Sequence, residues 1–119
     1  MEAQTYSVLE ATGSREAVSL LLEILERPAS IEELAERAGV SKTTASRRLK
    51  ELALAGVLSR TRPRDPYQLT CAEPSRQFLL AASELARAIL QAREEAERTL
   101  DRRVRKTRLR SQEGEVATD

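Results

Sequence analysis

The sequence predicts a mainly α-helical chain with one small β-hairpin and a long C-terminal helix. Three observations predict it. Apolar residues recur at helical spacing in three segments between Ser14 and Leu54, each opened by a serine and closed by a proline or glycine. An alternating stretch, Val57–Arg62, is followed by Pro63-Arg64-Asp65-Pro66 and a second short stretch, Tyr67–Thr70. From Pro74 to Arg103 apolar residues step by three and four with no further proline and no glycine.

The elements follow in order. Residues 1–13 are weakly patterned, and Tyr6, Val8 and Leu9 fit a short helix or an arm packing on a partner. Gly13 breaks that segment and Ser14 caps the next helix. There Ala17, Val18, Leu20, Leu21, Ile24 and Leu25 are apolar enough to lie in a core. Arg27-Pro28 ends it, because the residue before proline disfavours helical geometry. Ser30 and Glu33 form an S-x-x-E capping box for a third helix, with Ile31, Leu34, Ala35 and Ala38 on one side. Gly39 supplies the left-handed conformation that ends it, and Ser41 caps a fourth helix whose end is marked by Gly56. Val40, Ala45, Leu49 and Leu52 face inward, and Lys42, Thr43, Thr44, Ser46, Arg47 and Lys50 are left for solvent or a ligand.

Two short helices joined by a tight turn, the second with a hydroxyl-bearing and basic face, make a helix-turn-helix whose second helix can enter a DNA major groove. The hairpin after it exposes Arg60, Arg62 and Arg64, and its two loop prolines stiffen it. Charge follows the same map. Val40–Thr70 carries seven basic against two acidic residues, a net of +5, although the whole chain is only +1. A nucleic-acid surface needs such a local field, not a high overall charge.

The segment L-A-x-x-A-G-V-S-x-x-T-A-S-R-x-L-K-x-L, Leu34–Leu52, resembles the recognition segment of ArsR-type winged-helix transcription regulators. The A-G-V-L-S-R at Ala55–Arg60, the basic hairpin and Y-Q-L-T at Tyr67–Thr70 match in order and spacing. The resemblance covers roughly residues 14–100. It implies a winged helix-turn-helix with the hairpin as wing, pairing through terminal helices, and repression by blocking polymerase access. Many ArsR-type proteins carry His after the Ser-Arg pair, where this chain has Arg48. The Cys and His ligands of the metal-sensing branch are missing, so the resemblance points to the non-metal-sensing branch.

The last helix is expected over 74–103, about 45 Å at the usual rise, with Pro74 as its first residue. Phe78, Ala82, Leu85, Ile89, Ala92, Ala96 and Thr99 form a heptad-type seam. A seam on so long a helix must be buried by something, and a second copy is the simplest partner. Residues 104–119 are expected to be a flexible tail. Arg102–Arg110, RRVRKTRLR, holds six basic and no acidic residues, and Ser111–Asp119 lacks apolar content.

Other chemistry is thinly supplied. The chain has no His, which removes the usual general base and the commonest zinc ligand. Its one cysteine, Cys71, allows no intrachain disulfide and is expected to be a small buried hydrophobe. Glu94, Glu95 and Glu97 read as a solvated charged face. The expectation is no catalytic residue, no metal and no cofactor. No apolar run is long enough to span a bilayer and no signal segment opens the chain, so cytoplasmic residence is expected.

The reading is one small domain over 14–73 that binds double-stranded DNA as part of a homodimeric transcriptional regulator, with any effector unknown. Ser41, Lys42, Thr43, Thr44, Ser46, Arg47, Arg48, Lys50, Arg60, Arg62 and Arg64 are expected to contact DNA. Phe78, Ala82, Leu85, Ile89, Ala92 and Ala96 are expected to form the dimer interface. The alternatives are a winged helix used as a protein-interaction or assembly module, and a nonspecific DNA or RNA binder driven by the late basic segment.

Overall fold

The structure, a computed structural model, describes the backbone of residues 1–118 and the side chains of residues 1–111. The elements run α1 (Ala3–Ala11), α2 (Arg15–Glu26), α3 (Ile31–Ala38), α4 (Lys42–Leu54), β1 (Leu58–Ser59), β2 (Gln68–Leu69) and α5 (Ala72–Thr118). They form two units, Met1–Phe78 and the part of α5 from Leu79 onward.

In the first unit α2, α3 and α4 pack on one another. Their shared core is leucine: Leu20, Leu21, Leu34, Leu49 and Leu52, closed below the hairpin by Leu58. Local chemistry places the helix ends. Ser14, Ser30 and Ser41 accept the backbone N–H of Ala17, Glu33 and Thr44. Each satisfies one of the orphan donors of a first turn. Gly39 (φ 69°) and Gly56 (φ 86°) close α3 and α4 in the left-handed region. At both ends the same two bonds form: Gly39 N–H to Glu36 O with Val40 N–H to Ala35 O, and Gly56 N–H to Ala53 O with Val57 N–H to Leu52 O. Only half of the expected capping box at Ser30 is made. The Glu33 carboxylate accepts from Arg27 Nη2 at 3.2 Å instead of reaching back to the Ser30 backbone, because the extended Arg27 brings its guanidinium there.

The N-terminal segment is a helix that packs on α4 of its own unit. Gln4 Nε2 donates to Ala55 O at 2.6 Å, and Thr12, buried at the end of α1, donates to Val8 O. Tyr6 and Leu9 remain exposed.

The hairpin is shorter than its alternation predicts. β1 and β2 pair antiparallel over two positions, Leu58 with Leu69 and Ser59 with Gln68. Beyond the ladder, the Arg60 guanidinium lies 4.3 Å over the Tyr67 ring. Tyr67 is the buried aromatic of this unit, only 4% exposed.

α5 departs from expectation at both ends. It starts at Ala72, with Ser75 N–H bonded to Cys71 O, so Pro74 is its third residue. Proline is tolerated there because no N–H of the first turn has an intrahelical acceptor. The helix then continues past Arg103 to Thr118, about 70 Å in all. The flexible tail expected from 104 is therefore corrected: Arg, Lys and Leu are strong helix formers, and Arg102–Arg110 contains no breaker. From Leu79 to Ser111 only Leu79 is even partly buried, and Leu85 is 62% exposed.

Candidate nucleic-acid interface

α4 owes its position to its buried side, where Ala45, Leu49 and Leu52 lock it against α2 and α3. α3 is itself clamped to α2 by Arg37. Its Nε donates to Glu23 Oε2 at 3.0 Å and its Nη2 to Glu23 O at 2.9 Å. This clamp, mostly screened from solvent, ties α3 to α2. No periodicity could have announced it, since the partners are fourteen residues apart on different helices.

With one side buried, the opposite face of α4 is a shallow surface lined by Lys42, Thr43, Ser46, Arg47 and Lys50. Lys42, Thr43, Arg47 and Lys50 are exposed and Ser46 is half-buried. Three of the five carry positive charge, and no acidic residue lines the surface. Thr43 and Ser46 offer short hydroxyl arms. The other residues expected here sit differently. Ser41 caps the helix with its hydroxyl, which also donates to Thr44 Oγ1 at 2.9 Å. Thr44 is half-buried and holds that bond.

Arg48 is not brought to this face. It lies on the α1 side of α4, beside Ser7, Glu10 and Ala11. Its Nη1 pairs with Glu51 Oε2 at 3.2 Å, and its Nε is buried without a hydrogen-bond partner. Helical geometry explains this, since Arg48 adjoins Leu49 and Leu52 on the helix surface rather than Arg47 and Lys50.

Lys42 has a counter-charge that sequence reading missed. Its Nζ donates to Glu32 Oε1 at 2.8 Å across the turn between α3 and α4. That hydrogen bond, reinforced by the ammonium charge, holds the Glu32 carboxyl below the usual carboxylate range. Both groups are exposed, so the pair adds little to stability. Its effect is to hold Lys42 at the helix start.

The hairpin presents Arg60, Arg62 and Arg64, all exposed. Its turn is closed by Asp65 N–H to Arg62 O at 3.1 Å. Arg62 and Arg64 project without an ion-pair partner among the described residues, whereas Arg60 is held over Tyr67.

Cys71 is exposed, not buried as expected. Its place at the start of α5, on the rim of an apolar recess of about 280 Å³ lined by residues including Val8, Leu21, Val57 and Phe78, keeps it at the surface. Among the described residues no cluster of His, Cys, Asp and Glu is arranged to hold a metal ion. No described helix is long and apolar enough to cross a membrane.

A capped helix-turn-helix, a short basic hairpin behind it and a cationic, hydroxyl-bearing helix face together define a winged helix-turn-helix DNA-binding domain of the kind used by transcriptional regulators. A model of the MarR family matches residues 7–66, and the chain belongs to that family. No curated protein sequence matches it. Two solved structures from Mycobacterium bovis share the fold. One is a solution structure of the homodimeric winged helix-turn-helix DNA-binding domain of Mb0332, described as a possible ArsR-family transcriptional regulator. It has a TM-score of 0.60 at 23% identity, over 72% of this chain and 82% of that one. The other is a crystal structure of a fragment described as a possible transcriptional regulatory protein, with a TM-score of 0.58 at 24% identity, over 70% of this chain and 91% of that one.

Proposed function

We propose that this chain is a homodimeric, sequence-specific transcriptional regulator that represses by occupying its operator, acting in the cytoplasm and not as an enzyme. The observation that carries the reading is the exposed face of α4, where Lys42, Thr43, Ser46, Arg47 and Lys50 stand together on a helix held rigidly from behind. Lys42 and Lys50 supply phosphate affinity, Thr43 and Ser46 reach base edges, and Arg47 serves either role. Arg62 and Arg64 extend the phosphate contacts from the wing. Ser41 and Thr44 set the start of the reading helix, and Arg48 supports its orientation from the α1 side. Arg60, stacked on Tyr67, stiffens the wing and contributes charge.

The motif Leu34–Leu52 supports an ArsR-type, non-metal-sensing branch, as does the description of the Mb0332 neighbour. That neighbour is homodimeric. In this chain the exposed stripe of Phe78, Ala82, Leu85, Ile89, Ala92 and Ala96 on α5 offers the surface for pairing. Two reading helices related by a two-fold axis address half-sites about one helical turn apart.

Selection from a random duplex pool tests the reading. The expected result is an approximately palindromic consensus, bound more tightly than scrambled duplex. Arg47→Ala should then cost about 1–3 kcal/mol on the consensus if Arg47 makes a bidentate base contact. Equal affinity for consensus and scrambled duplex would refute sequence specificity. Absence of any salt-dependent duplex binding would assign the fold to protein interaction instead.

A further inference from the structure

The end of α5 has a charge pattern unlike the rest of that helix. Upstream, opposite charges fall one turn apart: Glu84 with Arg87, Arg93 with Glu97, and Glu94 with Arg98. From Arg102 to Arg110 there are six cations and no acidic residue. All six are exposed, and none is ion-paired with a described acidic side chain. The segment is helical, with Thr107 Oγ1 donating to Arg103 O.

Helical geometry sorts this segment into stripes. Leu100, Val104 and Thr107 continue one stripe at steps of four and three, in line with Ala82, Ile89 and Ala96 upstream. Arg102, Lys106 and Arg110, each four residues apart, form a row on another side, with Arg103 and Arg105 flanking it, while Arg108 lies beside Val104. Five of the six cations thus lie off the apolar stripe, and Arg108 borders it, so burial of that stripe leaves the row outward. Successive cations of the row are separated by about 6 Å of helix axis, inside the Debye length of about 8 Å at physiological salt. The six charges therefore act as one patch. They also repel one another, because like charges at three- and four-residue spacing oppose helix formation. A bound polyanion relieves that repulsion.

The geometry points to the helical segment Arg102–Arg110 as a sequence-independent binding surface for the phosphate backbone of duplex DNA, separate from the reading helix. The choice of duplex DNA rests on the DNA-binding reading above. Two further observations favour it. The aromatic residues of the chain are Tyr6, Tyr67 and Phe78, all upstream, so the segment has no ring on which unpaired RNA bases stack. The same lack, with only Leu100, Val104 and Leu109 as large apolar groups, leaves too little to anchor a helix in a lipid interface. Duplex DNA offers one phosphate charge per about 1.7 Å of axis, a density suited to a compact cationic row.

The test uses the full chain and two variants. One replaces Arg102, Arg103, Arg105, Lys106, Arg108 and Arg110 with Gln, a good helix former without charge. The other replaces the five arginines with Lys and keeps every charge. Binding is measured against a random-sequence duplex across a salt series. Each phosphate contact contributes about 0.9 to the slope of log affinity against log salt. The Gln variant should lose about 3–5 from that slope, and the Lys variant should keep the parental value. An unchanged slope in the Gln variant overturns the proposal, as does an equal loss in the Lys variant, which would point to packing. Loss of binding to phosphatidylserine vesicles or single-stranded RNA with an unchanged duplex slope also overturns it. Failure of the regulator reading looks different: the parent shows no preference among duplexes, yet its slope still falls on substitution by Gln.

Discussion

α4 and α5 are both amphipathic helices with many basic residues, yet they are held in opposite ways. α4 buries Ala45, Leu49 and Leu52 against its own unit and is capped at both ends. Its charged face is what remains once the apolar side has been used. α5 from Leu79 onward buries almost nothing, and its apolar stripe stays open. α4 is therefore a finished element whose outward residues are available for recognition. α5 is an unfinished one, whose stripe is the surface proposed above for pairing, since a lone helix gains little from propensity alone.

The strongest way to break this contrast is to charge the open stripe. Leu85→Asp with Ile89→Asp should abolish a dimer, because pairing would then bury unpaired carboxylates at a cost of several kcal/mol. The core of the first unit should be untouched, and operator affinity should fall to that of one half-site. Sedimentation reads the outcome, and a parent chain that is monomeric at micromolar concentration yet binds a two-fold operator normally would remove α5 from the assembly.

Equal truncations on the two helices sharpen it. Leu49→Ala removes a fully buried side chain from the centre of the three-helix core. It should cost about 2–5 kcal/mol of stability in the first unit. Leu100→Ala shortens a side chain that is exposed in a single chain, so its effect at dilution to monomer should be within about 0.5 kcal/mol. Urea titrations of both variants at low and high protein concentration make the comparison. A concentration-dependent loss in Leu100→Ala would show the stripe buried in the assembled form.

The smallest effect concerns Glu32. Its carboxylate occupies Lys42 at the start of α4, as a phosphate would. Glu32→Gln should release Lys42, tighten duplex binding modestly and steepen the salt slope by up to about 0.9. The pH dependence has a defined sign. The folded carboxyl titrates below its ordinary value, so the pair is intact above that value and is lost as pH falls through the lowered one. Acidification should thus move the parent toward the variant. Identical salt slopes for parent and variant would make the pair a bystander.

The two helices also differ in how much of each is legible in the amino-acid sequence. The limits of α4 are legible because they depend on neighbours in the chain: a serine cap on Thr44 N–H, a glycine at φ 86°, and leucines at core spacing. The helix-turn-helix and the presence of a hairpin follow from the same local chemistry. The end of α5 is harder to place because two local signals conflict there. Low apolar content argues against packing, while helix propensity and the absence of breakers argue for continuation.

What the sequence by itself determined, then, is the order of elements, the caps, the identity of the core face and the concentration of positive charge between Val40 and Thr70. Each depends on residue type and on spacing within a turn or two. Only the tertiary structure decided which cations stand together. Helix geometry already parts Arg47 from Arg48, but only folding sets Arg48 beside Ser7, Glu10 and Ala11 of α1. Arg60 is equivalent to Arg62 and Arg64 by residue type and spacing, but folding places Tyr67 beneath it. Lys42 acquires Glu32, and α3 is tied to α2 through Arg37 and Glu23. Side-chain reach across several ångströms of folded space sets these pairings, and distance along the chain carries no information about it.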